Sequence, residues 1–123
     1  MLKGIGMFKK VFCLIAVIFC LLGLSACQKK EFRDDTIYLF WQPGCSHCHH
    51  AIDFFNNDLS SVRIEMLDIS KEEGYQKLLK AVKQYNLGTQ IATPLFVVGD
   101  KHFMGWSDDL AEEFKKMAPY FQK

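Results

Sequence analysis

Hydrophobic positions along this chain change period several times, and each change marks an element. Residues 36–41, TIYLFW, form a nearly unbroken apolar run of β-branched and aromatic residues, as expected of a strand buried on both faces. QPG then turns the chain. From 46 to 56 the pattern is helical, with Ala51, Ile52, Phe54 and Phe55 forming an apolar face. Residues 61–69, SVRIEMLDI, alternate, and Val62, Ile64 and Met66 share one side of a second strand. Ser70 is placed to cap the next helix, with Glu73 completing a capping box. Tyr75, Leu78, Leu79, Val82 and Tyr85 follow at helical spacing, and Asn86 and Gly88 supply the stop. TPLFVV gives a third strand, Gly99-Asp100 a two-residue hairpin turn, and KHFMG the returning strand. Ser107 caps a last helix whose first turn carries Asp108 and Asp109, with Leu110, Phe114 and Met117 as its buried stripe. The order is β-α-β-α-β-β-α. It predicts an α/β domain with a central four-stranded mixed sheet and three helices, two on one face and one on the other.

The amino-terminal pattern is different in kind. Lys3, Lys9 and Lys10 precede an apolar run over residues 11–24, with no acidic residue before Glu31. That run falls short of the roughly 18 residues a spanning helix needs and suits a secretory signal. It ends in Leu24-Ser25-Ala26-Cys27, which resembles the bacterial lipobox. The resemblance implies a lipoprotein signal peptide over 1–26, a diacylglycerol on the Cys27 sulfur and an acylated new amino terminus. Several acyl chains anchor stably, whereas one binds a membrane only marginally. Gln28, in place of an aspartate, is by analogy with enterobacterial sorting the sign of an outer-membrane lipoprotein facing the periplasm. Residues 27–35 then read as a lipidated cysteine and polar tether. Its eight residues QKKEFRDD reach under about 30 Å. The domain proper is expected over 36–123.

Charge excludes one class of partner. The whole chain is near neutral, at +1, and loss of the three leader lysines leaves it slightly negative. No basic patch with interleaved aromatics points to nucleic acid. The cysteine count narrows the chemistry further. Of five cysteines, Cys13 and Cys20 leave with the leader and Cys27 carries lipid, so Cys45 and Cys48 remain as thiols. Their spacing closes a loop too small to staple a fold. The stretch WQPGCSHCHH around them allows three readings. Cys-x-x-Cys is a dithiol redox centre. Cys-x-x-Cys-His, ending at His49, is a c-type haem attachment sequence, with Met66, Met104 or His102 as a sixth ligand. The cysteines with His49, His50 or His102 also offer soft ligands to copper or zinc.

The element order, with Cys-x-x-Cys between first strand and first helix, resembles the thioredoxin superfamily, and its short form resembles glutaredoxin. Two stretches carry the likeness: YLFWQPGCSHCHHAIDFF and ATPLFVVGDKHFMGWSDDL. It spans essentially residues 36–121 and implies a thioredoxin-like, glutaredoxin-type fold. It implies that Pro94 is the family's cis-proline and that the backbone of Thr93 pairs with an extended substrate strand beside the dithiol. Trp41 and Trp106 are candidates for an apolar substrate platform. Gly105 matches the first of the family's paired glycines, but Trp106 stands at the second, and its bulk counts against glutathione as a partner. His47, at the second x of the motif, resembles strongly oxidising periplasmic disulfide catalysts.

These resemblances and the residues agree on a chemistry. Cys45 lies at the start of a helix, where unpaired N–H groups and the dipole favour a thiolate, and His47 is expected to favour it further. Cys48, one turn on, resolves the mixed disulfide. The expected activity is thiol–disulfide exchange with protein thiols and disulfides, coupled to an unidentified electron partner, by a monomer with no resident cofactor. The alternative is a copper-binding or metallochaperone thioredoxin-like protein using Cys45, Cys48, His49 and His102. The c-type haem reading ranks below it, because small cytochrome domains are mainly helical and this chain predicts four strands.

Overall fold

The structure, a computed structural model, describes residues 13–15 and 31–123. Cys27, the expected acylation site, and the expected leader apart from residues 13–15 lie outside the described residues. Residues 13–15 are helical and exposed. Everything below concerns the unit Glu31–Lys123.

Four strands form one sheet: β1 (Ile37–Trp41), β2 (Ile64–Asp68), β3 (Leu95–Val98) and β4 (Lys101–Met104). Their order across the sheet is β2-β1-β3-β4. β1 runs parallel to β2 and antiparallel to β3, and β4 is antiparallel to β3. Helix α1 (Ser46–Asp58) makes the crossover between the parallel pair. Helix α2 (Glu72–Gln84) follows β2, and α3 (Asp108–Met117) follows β4, continued by a 3-10 turn over Ala118–Phe121. This is the β-α-β-α-β-β-α mixed sheet expected from the periodicity.

The central strands β1 and β3 are apolar on both faces because each face is covered. Ile37, Leu39, Phe96 and Val98 pack with Ala51 and Phe55 of α1 and Phe114 of α3. Tyr38, Phe40, Leu95 and Val97 pack with Leu78 and Ala81 of α2. Two helices therefore lie on one side and one on the other.

Three local expectations are corrected. Ser70 does not cap α2. The Asp68 carboxylate at the end of β2 accepts from both the Ser70 amide (2.9 Å) and its hydroxyl (2.6 Å). Those bonds, the hydroxyl first, hold the Asp68 carboxyl below the usual carboxylate range. With Ser70 engaged in this turn, α2 starts later, and Lys71 occupies its cap position without a side-chain bond. The buried stripe of α2 is also rotated from the expected one. Tyr75 and Leu79 are 46% and 44% exposed, whereas Gly74, Leu78 and Ala81 are buried. Gly74 lies so close to the end of β2 that an added Cβ would collide with the Asp68 carbonyl. The small residues set how near α2 approaches the sheet, and the larger apolar residues beside them are left outside.

The third correction moves the start of the domain. Phe32, expected in the polar tether, is 2% exposed. Its ring packs edge-on to Tyr38, Phe40 and Tyr85 at 4.9, 6.2 and 6.0 Å. The Arg33 amide donates to the Tyr38 hydroxyl (2.9 Å), and Arg33 and Arg63 both pair with Asp35. The folded unit thus begins at Glu31, not at residue 36. A single aromatic in a polar run carries no period, so the sequence pattern passes over it.

Phe32→Ala is expected to lower the free energy of unfolding by about 3–5 kcal/mol, the usual cost of deleting a fully buried phenylalanine. Chemical denaturation followed by tryptophan fluorescence measures it. A loss no larger than that of an exposed substitution would return Phe32 to the tether.

Candidate functional site

The site is built where β1 ends. The Cys45 amide donates to the Gln42 carbonyl (3.2 Å), closing a turn through Pro43 and Gly44. That turn sets Cys45 in extended backbone, φ −97° and ψ 106°, at the cap position of α1. Its sulfur accepts from the Cys48 amide at 3.2 Å, the place an oxygen usually takes in a helix cap. No acidic residue lies in the first turn of α1 to oppose negative charge there. Cys45 and Cys48 are disulfide-bonded, with Cα atoms 5.2 Å apart. Cys45 is half-buried, whereas Cys48 is 0% exposed. Among the described residues the free cysteine is Cys13, in the expected leader.

The opposite wall comes from the segment before β3. The Thr93–Pro94 peptide bond is cis. Pro94 is fully buried, and its carbonyl accepts from the Gly105 amide at 2.8 Å. Gly105 has φ +85°, a left-handed conformation that side chains resist, which fits glycine after β4. The Thr93 carbonyl and hydroxyl oxygens each lie 3.6 Å from Cys45 Sγ. Sequence positions 48 residues apart meet here, as the resemblance implied.

The remaining expected site residues are placed elsewhere. His47 is exposed with its ring edge-on to His50, centroids 6.4 Å apart, and makes no hydrogen bond to either sulfur. His49 turns back along the helix start. Its Nε2 lies 2.7 Å from the Pro43 carbonyl and its ring packs 6.0 Å from Trp41. A haem reading would need that ring nitrogen free to bind iron, with the two sulfurs bonded to the porphyrin edge. His102 lies on the edge strand β4, opposite Val97. The alternative metal set Cys45, Cys48, His49 and His102 is therefore not assembled. Among the described residues, no three His, Cys, Asp or Glu side chains converge.

Nor do the two tryptophans form one platform. Trp106 packs against Phe54, Phe55, Phe96 and Phe114, with centroids 5.1 to 6.3 Å apart, and so belongs to the aromatic cluster on the α1/α3 face. Trp41 lines a cavity of about 520 Å³ with His49, Ile52, Met66 and Asp68. Because β2 and β3 flank β1 on opposite sides, this cavity lies across β1 from the Thr93–Pro94 loop. Sequence reasoning missed one polar neighbour: the Gln42 side-chain nitrogen lies 3.3 Å from Thr93 Oγ1. Its signal was only its place three residues before Cys45.

No family model matches this sequence, and no curated protein matches it. Among solved structures, the crystal structure of a glutaredoxin from Archaeoglobus fulgidus matches with a TM-score of 0.52 at 18% identity, covering 74% of this chain and 99% of that one. At that identity the likeness concerns the fold. The chain has a thioredoxin-like fold of the glutaredoxin type, with a Cys-x-x-Cys pair at disulfide distance at the head of its first helix.

After reduction, iodoacetamide is expected to modify Cys45 at least about tenfold faster than Cys48, because only Cys45 combines exposure with a helix amino terminus. Peptide mapping by mass spectrometry reads both rates. Equal rates would refute this assignment of the attacking sulfur.

Proposed function

We propose that the protein is a thiol–disulfide oxidoreductase that exchanges disulfides with protein thiols through Cys45 and Cys48. The observation that carries the reading is the Cys45 sulfur, capped by the Cys48 amide at 3.2 Å and faced by Thr93 beside the cis-proline. In the reductive direction the Cys45 thiolate attacks a substrate disulfide. A Cys45–substrate disulfide forms, and the first substrate sulfur leaves as a thiolate and takes a proton. Cys48, deprotonated, then attacks Cys45 Sγ and expels the second substrate sulfur, which is protonated in turn. Two electrons have passed from the protein to the substrate. In the oxidative direction a substrate thiolate attacks Cys45 of the disulfide, Cys48 leaves, and the substrate's second thiol displaces Cys45. Whatever stabilises the Cys45 thiolate stabilises the reduced protein and makes the pair more oxidising.

Location is part of the proposal. Lipid on Cys27 anchors the domain to a bacterial membrane, the outer one by the residue at 28, with the dithiol in the periplasm, where disulfides persist. With the domain beginning at Glu31, residues 28–30 are the whole linker, and four Cα steps span at most about 14 Å. The domain therefore works within one protein radius of the bilayer. Among the described residues, no helix is long and apolar enough to cross a membrane.

Two experiments test the parts separately. Cys45→Ser is expected to abolish turnover of a protein disulfide substrate, and Cys48→Ser to accumulate a mixed disulfide through Cys45, visible on a non-reducing gel. Full activity in Cys45→Ser would sink the exchange mechanism. For the anchor, metabolic labelling with palmitate should mark the wild-type chain, and Cys27→Ala should lose the label and enter the soluble fraction. An unlabelled wild type would rule out lipidation and leave the chemistry standing.

A further inference from the structure

Thr93 brings a hydroxyl to the reactive sulfur, and a hydroxyl has one hydrogen to give and two lone pairs to fill. Which way its hydrogen points is decided by its other partner. That partner is Gln42. Its side-chain amide nitrogen lies 3.3 Å from Thr93 Oγ1, and Oγ1 lies 3.6 Å from Cys45 Sγ. The amide N–H only donates. It fills a lone pair on Oγ1 and leaves the Thr93 hydrogen for the sulfur.

We propose that Gln42 is a positioning residue that turns the Thr93 hydroxyl into a hydrogen-bond donor to the Cys45 thiolate. The inference rests on the exchange chemistry proposed above and adds a third residue to it. The arrangement is held from two sides. The Gln42 carbonyl accepts the Cys45 amide in the turn that ends β1, so the residue cannot drift from the sulfur it serves. Thr93 is joined directly to Pro94, whose ring is fully buried. In the reduced protein the thiolate then has two donors, the Cys48 amide of α1 and the Thr93 hydroxyl before β3. Gln42 is itself exposed, so its replacement leaves the core untouched.

The sign of the effect depends on the amide orientation, which makes it measurable. Were the Gln42 amide oxygen the atom facing Thr93, it would accept the hydroxyl hydrogen and draw it away from the sulfur. Losing Gln42 would then strengthen the thiolate instead of weakening it.

The test is the pH profile of iodoacetamide alkylation at Cys45 in the reduced full-length protein, read peptide by peptide. Wild type, Gln42→Leu, Thr93→Val and the double variant are compared. Gln42→Leu is expected to move the profile to higher pH, so that the Cys45 rate on the acid limb falls about threefold to tenfold, the size of one ordinary hydrogen bond's net contribution. Thr93→Val should do the same. The double variant should match Thr93→Val alone, because Gln42 acts through that hydroxyl and the two losses are then not additive. Equilibrium with a glutathione redox buffer gives a second readout. The same fold-change in the oxidised-to-reduced ratio corresponds to about 14–30 mV towards a more reducing pair. An unchanged profile in Gln42→Leu, a shift to lower pH, or shifts that simply add in the double variant would each overturn the proposal. The alkylation profile needs no protein substrate. If the wild type fails to exchange disulfides, the proposed function falls, while the profile still decides the role of Gln42.

Discussion

One hydrogen bond organises the reactive end of this molecule: the amide of Cys48 donating to the sulfur of Cys45. It makes a cysteine the cap of α1, so the residue that closes the turn after β1 is also the one that starts the helix. Sulfur is a weak acceptor when neutral and a good one when charged, so this bond strengthens when the disulfide is reduced and the thiolate forms. The geometry of the cap and the chemistry of the dithiol are the same constraint. The Pro43–Gly44 turn, the extended backbone at Cys45 and the burial of Cys48 in the first turn of α1 are what hold it.

The sheet supplies the second half. β1 lies between β2 and β3, so the end of β1 is bordered by the Thr93–Pro94 segment on one side and by the Trp41 cavity on the other. The first side carries the polar groups that face the sulfur. The second is lined by Trp41, Ile52 and Met66 together with charged residues that include Asp68 and Lys71.

Behind the site, rigidity comes from aromatic packing. Phe55, Phe96, Phe114 and Trp106 interlock under α1 and α3, with ring centroids 4.7 to 6.3 Å apart. On the far face, Phe32 closes the core against Tyr38 and Tyr85, and the Tyr85 hydroxyl donates to the Gly99 carbonyl at 2.7 Å in the β3–β4 turn. Burial pushes the Tyr85 phenol above its usual range, which keeps it a donor across the physiological range. The aromatic richness of the sequence is thus spent on a small, stiff scaffold around one dithiol.

By itself the sequence determined the strands, the helices, the hairpin at Gly99-Asp100, the Ser107 cap and the pairing of Cys45 with Cys48. Each is written in local spacing: a period of two or 3.6, a turn residue, a gap of two. What tertiary structure decided lies between elements. Whether Phe32 is tether or core depends on a hydrophobic pocket that exists only once β1 and α2 have met. Whether Trp106 faces substrate or joins the core depends on Gly105 turning it towards α1 and α3. Ser70 is the local exception: the Asp68 carboxylate two residues before it takes its amide and hydroxyl, and the capping pattern does not weigh that competing turn. The resemblance implied that Thr93 would lie near Cys45, but the Gln42 amide that touches its hydroxyl belongs to no motif. Contacts between distant positions leave no period in a single sequence, because nothing local repeats when two segments meet once.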